Sequence, residues 1–282
     1  MINWLGKAVW LFILLFFVLT ACESRLLLDK LGGQRPEREL LAIGPDIETL
    51  TVAADYASHA VKATGGLDAW TKTKKLEFDG VVTFYHPDNS FYLTEHHFEV
   101  YPWSNSIRIS AREPLTKFVW ELTRGRFSVL QGDERADVSA MAVSYCDYAQ
   151  AILSVVTAPV RLVDASVGFV KSPTPVKIEG LWYYPIEQTY LIERVTPDSI
   201  DKKDITPVER YWSKVVFFQN RDSSLVDMVW FADIEQKKFL AVRGYDYKQT
   251  REDGVLVPAK IEIFETDAQA VLKQRVVKID FK

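Results

Sequence analysis

Leu76-Glu77-Phe78-Asp79-Gly80-Val81-Val82-Thr83-Phe84 decides the fold. Leu76, Phe78, Gly80, Val82 and Phe84 share one face, while Glu77, Asp79, Val81 and Thr83 share the other. A two-residue period marks a half-buried antiparallel strand. Immediately upstream the period is near four. Ile47, Leu50, Ala54, Ala57 and Val61 fall on one helical face, with Asp46 placed to cap the start. Gly65-Gly66 ends that helix, as glycine does just past a helix terminus, and Leu67 to Trp70 makes one more turn.

Downstream the alternation persists. Residues 107–112 and 118–122 read as strands, and His96 and His97 fall in another. Turn signals at Pro87-Asp88-Asn89, Ser104-Asn105, Glu113-Pro114 and Arg124-Gly125 separate them. Residues 139–156 predict a second helix, stopped by Pro159. A proline-rich stretch runs to Pro207, interrupted by a strand pair within 176–192. Strands return at 210–219, 225–234, 239–248, 258–265 and 274–281. A mainly β (α+β) architecture fits this order: a large curved antiparallel sheet, or unclosed β-barrel, with helices on its concave face.

The N-terminus carries an export signal. Lys7 is the only charged side chain in the first 21 residues, and an apolar run follows from Ala8 to Val18. Leu19-Thr20-Ala21-Cys22 then precedes the polar pair Glu23-Ser24. A basic start, a short apolar middle and a small-residue exit make a secretory signal peptide. The run is short for a spanning helix, which needs about 20 apolar residues. Residues 1–21 are therefore read as a cleaved signal peptide, 22–45 as a tether, and 46–282 as a single domain with an insert at about 159–208.

Composition sets further bounds. Hydrophobic residues make up 48% of the 282-residue chain, enough for a full core. The formal net charge is −4, with no basic block, so nucleic-acid binding has no electrostatic footprint. There are two cysteines. If Cys22 is lipidated, no intramolecular disulfide is expected, and Cys146 reads as a buried structural thiol in an apolar helix.

Catalytic and metal chemistry is not visible at this level. His96 and His97 are strand neighbours pointing to opposite faces, so they do not chelate one metal together, and His59 falls on a helix surface. Asp133, Glu134 and Asp137 read as a solvated loop. The chain has no Gly-x-Ser-x-Gly elbow and no phosphate-binding glycine loop. The expectation is a non-enzymatic protein with no cofactor and no metal.

The residues before Cys22 resemble the lipobox of bacterial lipoproteins. That resemblance implies a diacylglyceryl group (palmitate-type acyl chains) on the Cys22 thiol and cleavage before it. Glu23, in place of the aspartate that signals inner-membrane retention in enteric bacteria, implies the outer membrane, facing the periplasm. The domain in turn resembles the LolA/LolB-like superfamily of lipoprotein-sorting and lipid-carrier domains. The carriers of that resemblance are the lipobox, Ala63-Thr64-Gly65-Gly66-Leu67-Asp68-Ala69-Trp70, the strand from Leu76, and Asp253-Gly254-Val255-Leu256-Val257-Pro258-Ala259-Lys260-Ile261. It covers residues 50–282 in order of elements, and implies a half-barrel whose apolar concave face holds acyl chains. The insert departs from the pattern, and no residue matches the exposed apolar loop of LolB-type receptors.

The strands around Tyr211–Phe218 and Leu225–Phe231 are apolar on both faces. Such a sheet is either covered twice or lines a cavity. Two functions follow. One is lipid binding: a carrier or acceptor of lipid or acylated protein, with Trp120, Trp212, Phe218, Trp230 and Phe231 as ligand contacts. The other is a subunit of an envelope assembly with a filled barrel, offering an edge strand or the insert to a protein partner.

Overall fold

The sheet begins where the period changes, at Leu76. A computed structural model describes residues 55–88, 90–112, 117–123, 126–131, 144–164, 167–189 and 212–282. The expected signal peptide, the tether, residues 46–54 of the first helix and the acidic loop at 133–137 lie outside these.

Helix α1 (Asp55–Ala63) buries Ala57, Ala60 and Val61, the helical face expected. Gly65 and Gly66 follow with φ of +114° and +89°. A Cβ at Gly65 would stand 2.8 Å from the Gly254 carbonyl oxygen, so the Gly-Gly turn also lets the 250s loop approach closely. The short α2 (Leu67–Lys72) buries Trp70, whose indole donates to Thr64 Oγ1 at 2.9 Å.

Five strands then form a meander: β1 (Leu76–Tyr85), β2 (Phe91–Tyr101), β3 (Ser106–Arg112), β4 (Lys117–Thr123) and β5 (Arg126–Gln131). Helices α3 (Tyr145–Val156) and α4 (Ala158–Arg161) follow. Pro159 does not end helical structure outright. It sits in the first turn of α4, where its missing N–H leaves no bond unmade.

The proline-rich region supplies β6 (Gly168–Lys171), β7 (Val176–Ile178) and β8 (Leu181–Thr189), and β8 pairs with β9 (Lys214–Asn220). These strands extend the main sheet at its edge. Pro185 lies within β8, between the stretches that β6 and β7 cover. Its carbonyl accepts from Ser172, so its N–H-less side faces that gap. The chain closes with β10 (Val226–Asp233), β11 (Lys238–Tyr245), the small ribbon β12 (Lys248–Gln249) and β13 (Leu256–Val257), then β14 (Lys260–Thr266) and β15 (Leu272–Phe281).

The 13-stranded sheet runs β5-β4-β3-β2-β1-β15-β14-β11-β10-β9-β8-β6, with β7 on β8. β1 pairs with β15, which joins the two runs of strands. β5 and β6 stand at opposite ends, so among the described residues the barrel is not closed. Helix α3 packs against β3 and β4 on one wing and β10, β11 and β14 on the other. Strands lie about 4.8 Å apart, which puts β3 and β11 roughly 24 Å apart along the sheet. A helix about 10–12 Å across touches both only if the sheet curves around it. Among the described residues no helix is long and apolar enough to cross a membrane.

Candidate ligand groove

The concave face is apolar from wing to wing. Ile107, Ile109, Trp120 and Leu122 line one side, Ile261, Ile263, Val277 and Ile279 the middle, and Phe217, Val229 and Phe231 the other side. Alternation dictates this set, since each is every second residue of its strand.

Helix α3 covers the middle of that face. Ser144 caps it by accepting from the Asp147 N–H at 3.1 Å. Nine of its 12 residues are buried, Tyr148, Ile152 and Leu153 among them. Cys146, expected in the core, is half-buried in its first turn.

Polar contacts join the helix to the sheet, and two of them are described. His96 Nδ1 lies 2.9 Å from the Tyr148 hydroxyl. The imidazole sits among the rings of Phe84, Phe98, Trp120 and Tyr148, with centroids 5.6–6.0 Å away. Burial pushes its pKa down to about 3, so the ring is neutral. Burial also holds the Tyr148 phenol well above its ordinary value. At the other contact Lys238 pairs with Asp147, which has no exposure at all. The Lys238 ammonium also stands 5.2 Å from the Trp212 ring centroid. Among the described residues Asp147 Oδ1 has no hydrogen-bond partner, and neither does the buried Thr94 Oγ1.

The five aromatics expected to contact a ligand do not converge. Trp120 stacks on Tyr145 of α3 with centroids 4.3 Å apart. Trp212 packs on Phe231 at 5.5 Å, and both belong with Trp120 to the core of the concave side. Phe218 and Trp230 lie on the outer face, in a second cluster with Tyr183, Val216 and Met228. There the Trp230 indole donates to Thr266 Oγ1 at 2.9 Å and its ring stacks on Phe239. The reason is alternation again: Trp230 and Phe231 are adjacent in β10 and must point apart. His96 and the Asp147–Lys238 pair are parts of the groove that the sequence did not mark as such.

No family model matches the chain, and no curated protein matches it. Among solved structures, the chain is similar to a LolA superfamily protein from Nitrosomonas europaea, at 13% identity over 82% of this chain and 92% of that one, with a TM-score of 0.46. It is also similar to a DUF1329 family protein from Desulfovibrio piger, at 11% identity over 80% and 90%, with a TM-score of 0.42. A third is a protein domain from Vibrio parahaemolyticus described as outer membrane lipoprotein-sorting, at 10% identity over 82% and 90%, with a TM-score of 0.42.

Proposed function

We propose that this chain is a bacterial lipoprotein held by lipid on Cys22 to the periplasmic side of the outer membrane. Its domain binds a hydrophobic ligand, a lipid or the acyl chains of another lipoprotein, between the concave face and α3. The observation that carries this reading is the continuous apolar lining from Ile107 to Phe231. Within it the one imidazole, His96, is neutral and its Nδ1 is already engaged by Tyr148. Such a surface offers an acyl chain about 0.8 kcal/mol per buried CH₂. A 16-carbon chain gains roughly 12 kcal/mol gross, against an association cost of about 4–15 kcal/mol.

The first turn of α3 is held in part by an ion pair whose lysine is 39% exposed and whose aspartate keeps one oxygen unpartnered among the described residues. The test uses the chain from residue 22 with Cys22→Ser, purified from cells and extracted with organic solvent. Lipid should co-purify in near-stoichiometric amount. It should be lost in Ala151→Phe, which places a ring at a helix position with no exposure. Trp230→Phe, on the outer face, should leave it unchanged. Absence of lipid, together with no uptake of a fluorescent fatty acid, would sink the reading.

One observation favours a filled barrel that serves an envelope assembly. Most of α3 is already buried against the sheet, so the middle of the groove is occupied. In that reading the partner meets the β7–β8 hairpin, whose Val176, Leu181 and Trp182 are 37–42% exposed. Loss of a cross-linked envelope partner in Trp182→Glu, with no lipid in the wild type, would select it.

A further inference from the structure

The outer face of β1 and β2 carries a cluster that the groove does not use. Antiparallel pairing puts Glu77 directly opposite Glu99, and Asp79 directly opposite His97. A ring nitrogen of His97 and one carboxylate oxygen from each glutamate lie within 4.8 Å of one another. Asp79 Oδ1 lies 2.9 Å from His97 Nδ1 and so fixes the rotation of the imidazole. Metal-bound histidines are commonly oriented by a carboxylate in this way.

Like charges directly opposite on a sheet face destabilise it. The Glu77–Glu99 pair therefore calls for a cation. Lys75 supplies one: its ammonium pairs with Glu77 and stands 3.5 Å from Glu99 Oε1. Arg108 is 3.9 Å from Glu99 but commits its Nε and one terminal nitrogen to Glu121. The Lys75 ammonium is thus shared between the two opposed glutamates, Glu77 and Glu99.

We propose that Glu77, His97 and Glu99 form a surface site for a divalent cation of the zinc class, with Lys75 as its resident competitor and Asp79 as the positioning residue for His97. One imidazole nitrogen and two carboxylate oxygens suit a borderline ion, with a fourth position left for water. Calcium takes 6–8 oxygen ligands, more than the cluster offers. Ligand bonds of about 2.1 Å put tetrahedral ligand atoms roughly 3.4 Å apart. Closing from the present spacing takes a shift of about 1 Å per side chain. Glu77, half-exposed on the outer face, is placed to make it. The cluster is independent of the groove, so its fate does not depend on what the groove holds.

The test titrates the full chain, solubilised in a non-ionic detergent, with zinc chloride against a chromophoric chelator. One equivalent should bind. Its affinity should fall at least tenfold in His97→Ala and in Glu99→Gln, and rise several-fold in Lys75→Ala, which removes the competitor. His59→Ala, on the exposed side of α1, should not change it. His97 is partly exposed on the outer face, so its variant should keep the far-ultraviolet spectrum of the parent. Zinc bound equally by the parent and by His97→Ala, or bound no more tightly by Lys75→Ala, would overturn the proposal.

Discussion

His96 Nδ1 lies 2.9 Å from the hydroxyl of Tyr148, tying the concave face of the sheet to the helix that covers it. Burial lowers the His96 pKa from 6.5 to about 3. The unfolded chain therefore takes up a proton between those values that the folded chain refuses. Stability from this group is complete above pH 6.5 and falls as the pH drops toward 3, by about 1.4 kcal/mol per unit. Urea midpoints should show a loss of about 3 kcal/mol from this group between pH 7 and pH 4.5. Tyr148→Phe alone should cost about 1–3 kcal/mol at pH 7, because it strands a buried imidazole nitrogen. The double variant His96→Phe/Tyr148→Phe removes both partners. It should recover most of that cost and flatten the acid limb. An acid limb as steep as the parent's would contradict the assignment.

Asp227 should show the opposite sign. Its carboxyl sits at the irregularity between β9 and β10, and burial pushes its pKa up to about 6 against the opposing pull of Arg243 and Tyr183. The folded state holds the proton more tightly here. Stability from this group is present at low pH and is lost as the pH rises from 3.8 through 6. Asp227→Asn should therefore stabilise the chain by about 2 kcal/mol at pH 7 and by almost nothing at pH 4. Thermal unfolding at the two pH values reads this directly, and a gain of equal size at both would refute it.

The Asp147–Lys238 pair should be asymmetric. Asp147 is fully buried and Lys238 is not. Removing the lysine strands a buried carboxylate, whereas Asp147→Asn leaves a neutral amide at the same place. Lys238→Met should cost roughly 3 kcal/mol, and Asp147→Asn clearly less. The order of the two penalties in chemical unfolding is the measurement, and its reversal would contradict the burial of Asp147. If α3 also gates the groove, Lys238→Met should release a bound fluorescent fatty acid faster.

Much of this architecture is legible in the alternation of short segments. Leu76–Phe84, Lys260–Ile263 and Val277–Phe281 each announce the face they turn to the concave core, and Gly65-Gly66 announces the end of α1. The strand at 126–131 is hidden in the sequence, because Arg126 to Gln131 carries no clean two-residue period. The prolines after Pro159 mark edges and loops, and of that stretch the described strands β6 and β8 lie at one end of the main sheet, with β8 hydrogen-bonded to β9. Residue type alone does not assign a face, so the aromatic set spans both sides of β10: Trp230 and Phe231 point apart there as His96 and His97 do in β2. Other pairings are set by register and chain closure, not by local pattern. Glu77 meets Glu99 across one pair of strands, and Asp147 meets Lys238 over a separation of 91 residues.

The anchor can be tested apart from the domain. Lipidation at Cys22 requires the thiol, the apolar and small residues before it, and export. Two or more acyl chains anchor stably because each buried CH₂ adds about 0.8 kcal/mol. Labelled palmitate should enter the parent chain and not Cys22→Ala. Cys146→Ala should label as the parent does, since Cys146 belongs to the first turn of α3. Lipidated chain should pellet with outer-membrane fractions. Changing Glu23 to Asp should move it toward the inner membrane in an enteric host. Equal labelling of the parent and Cys22→Ala would remove the anchor, while leaving the groove and its chemistry to be judged on their own.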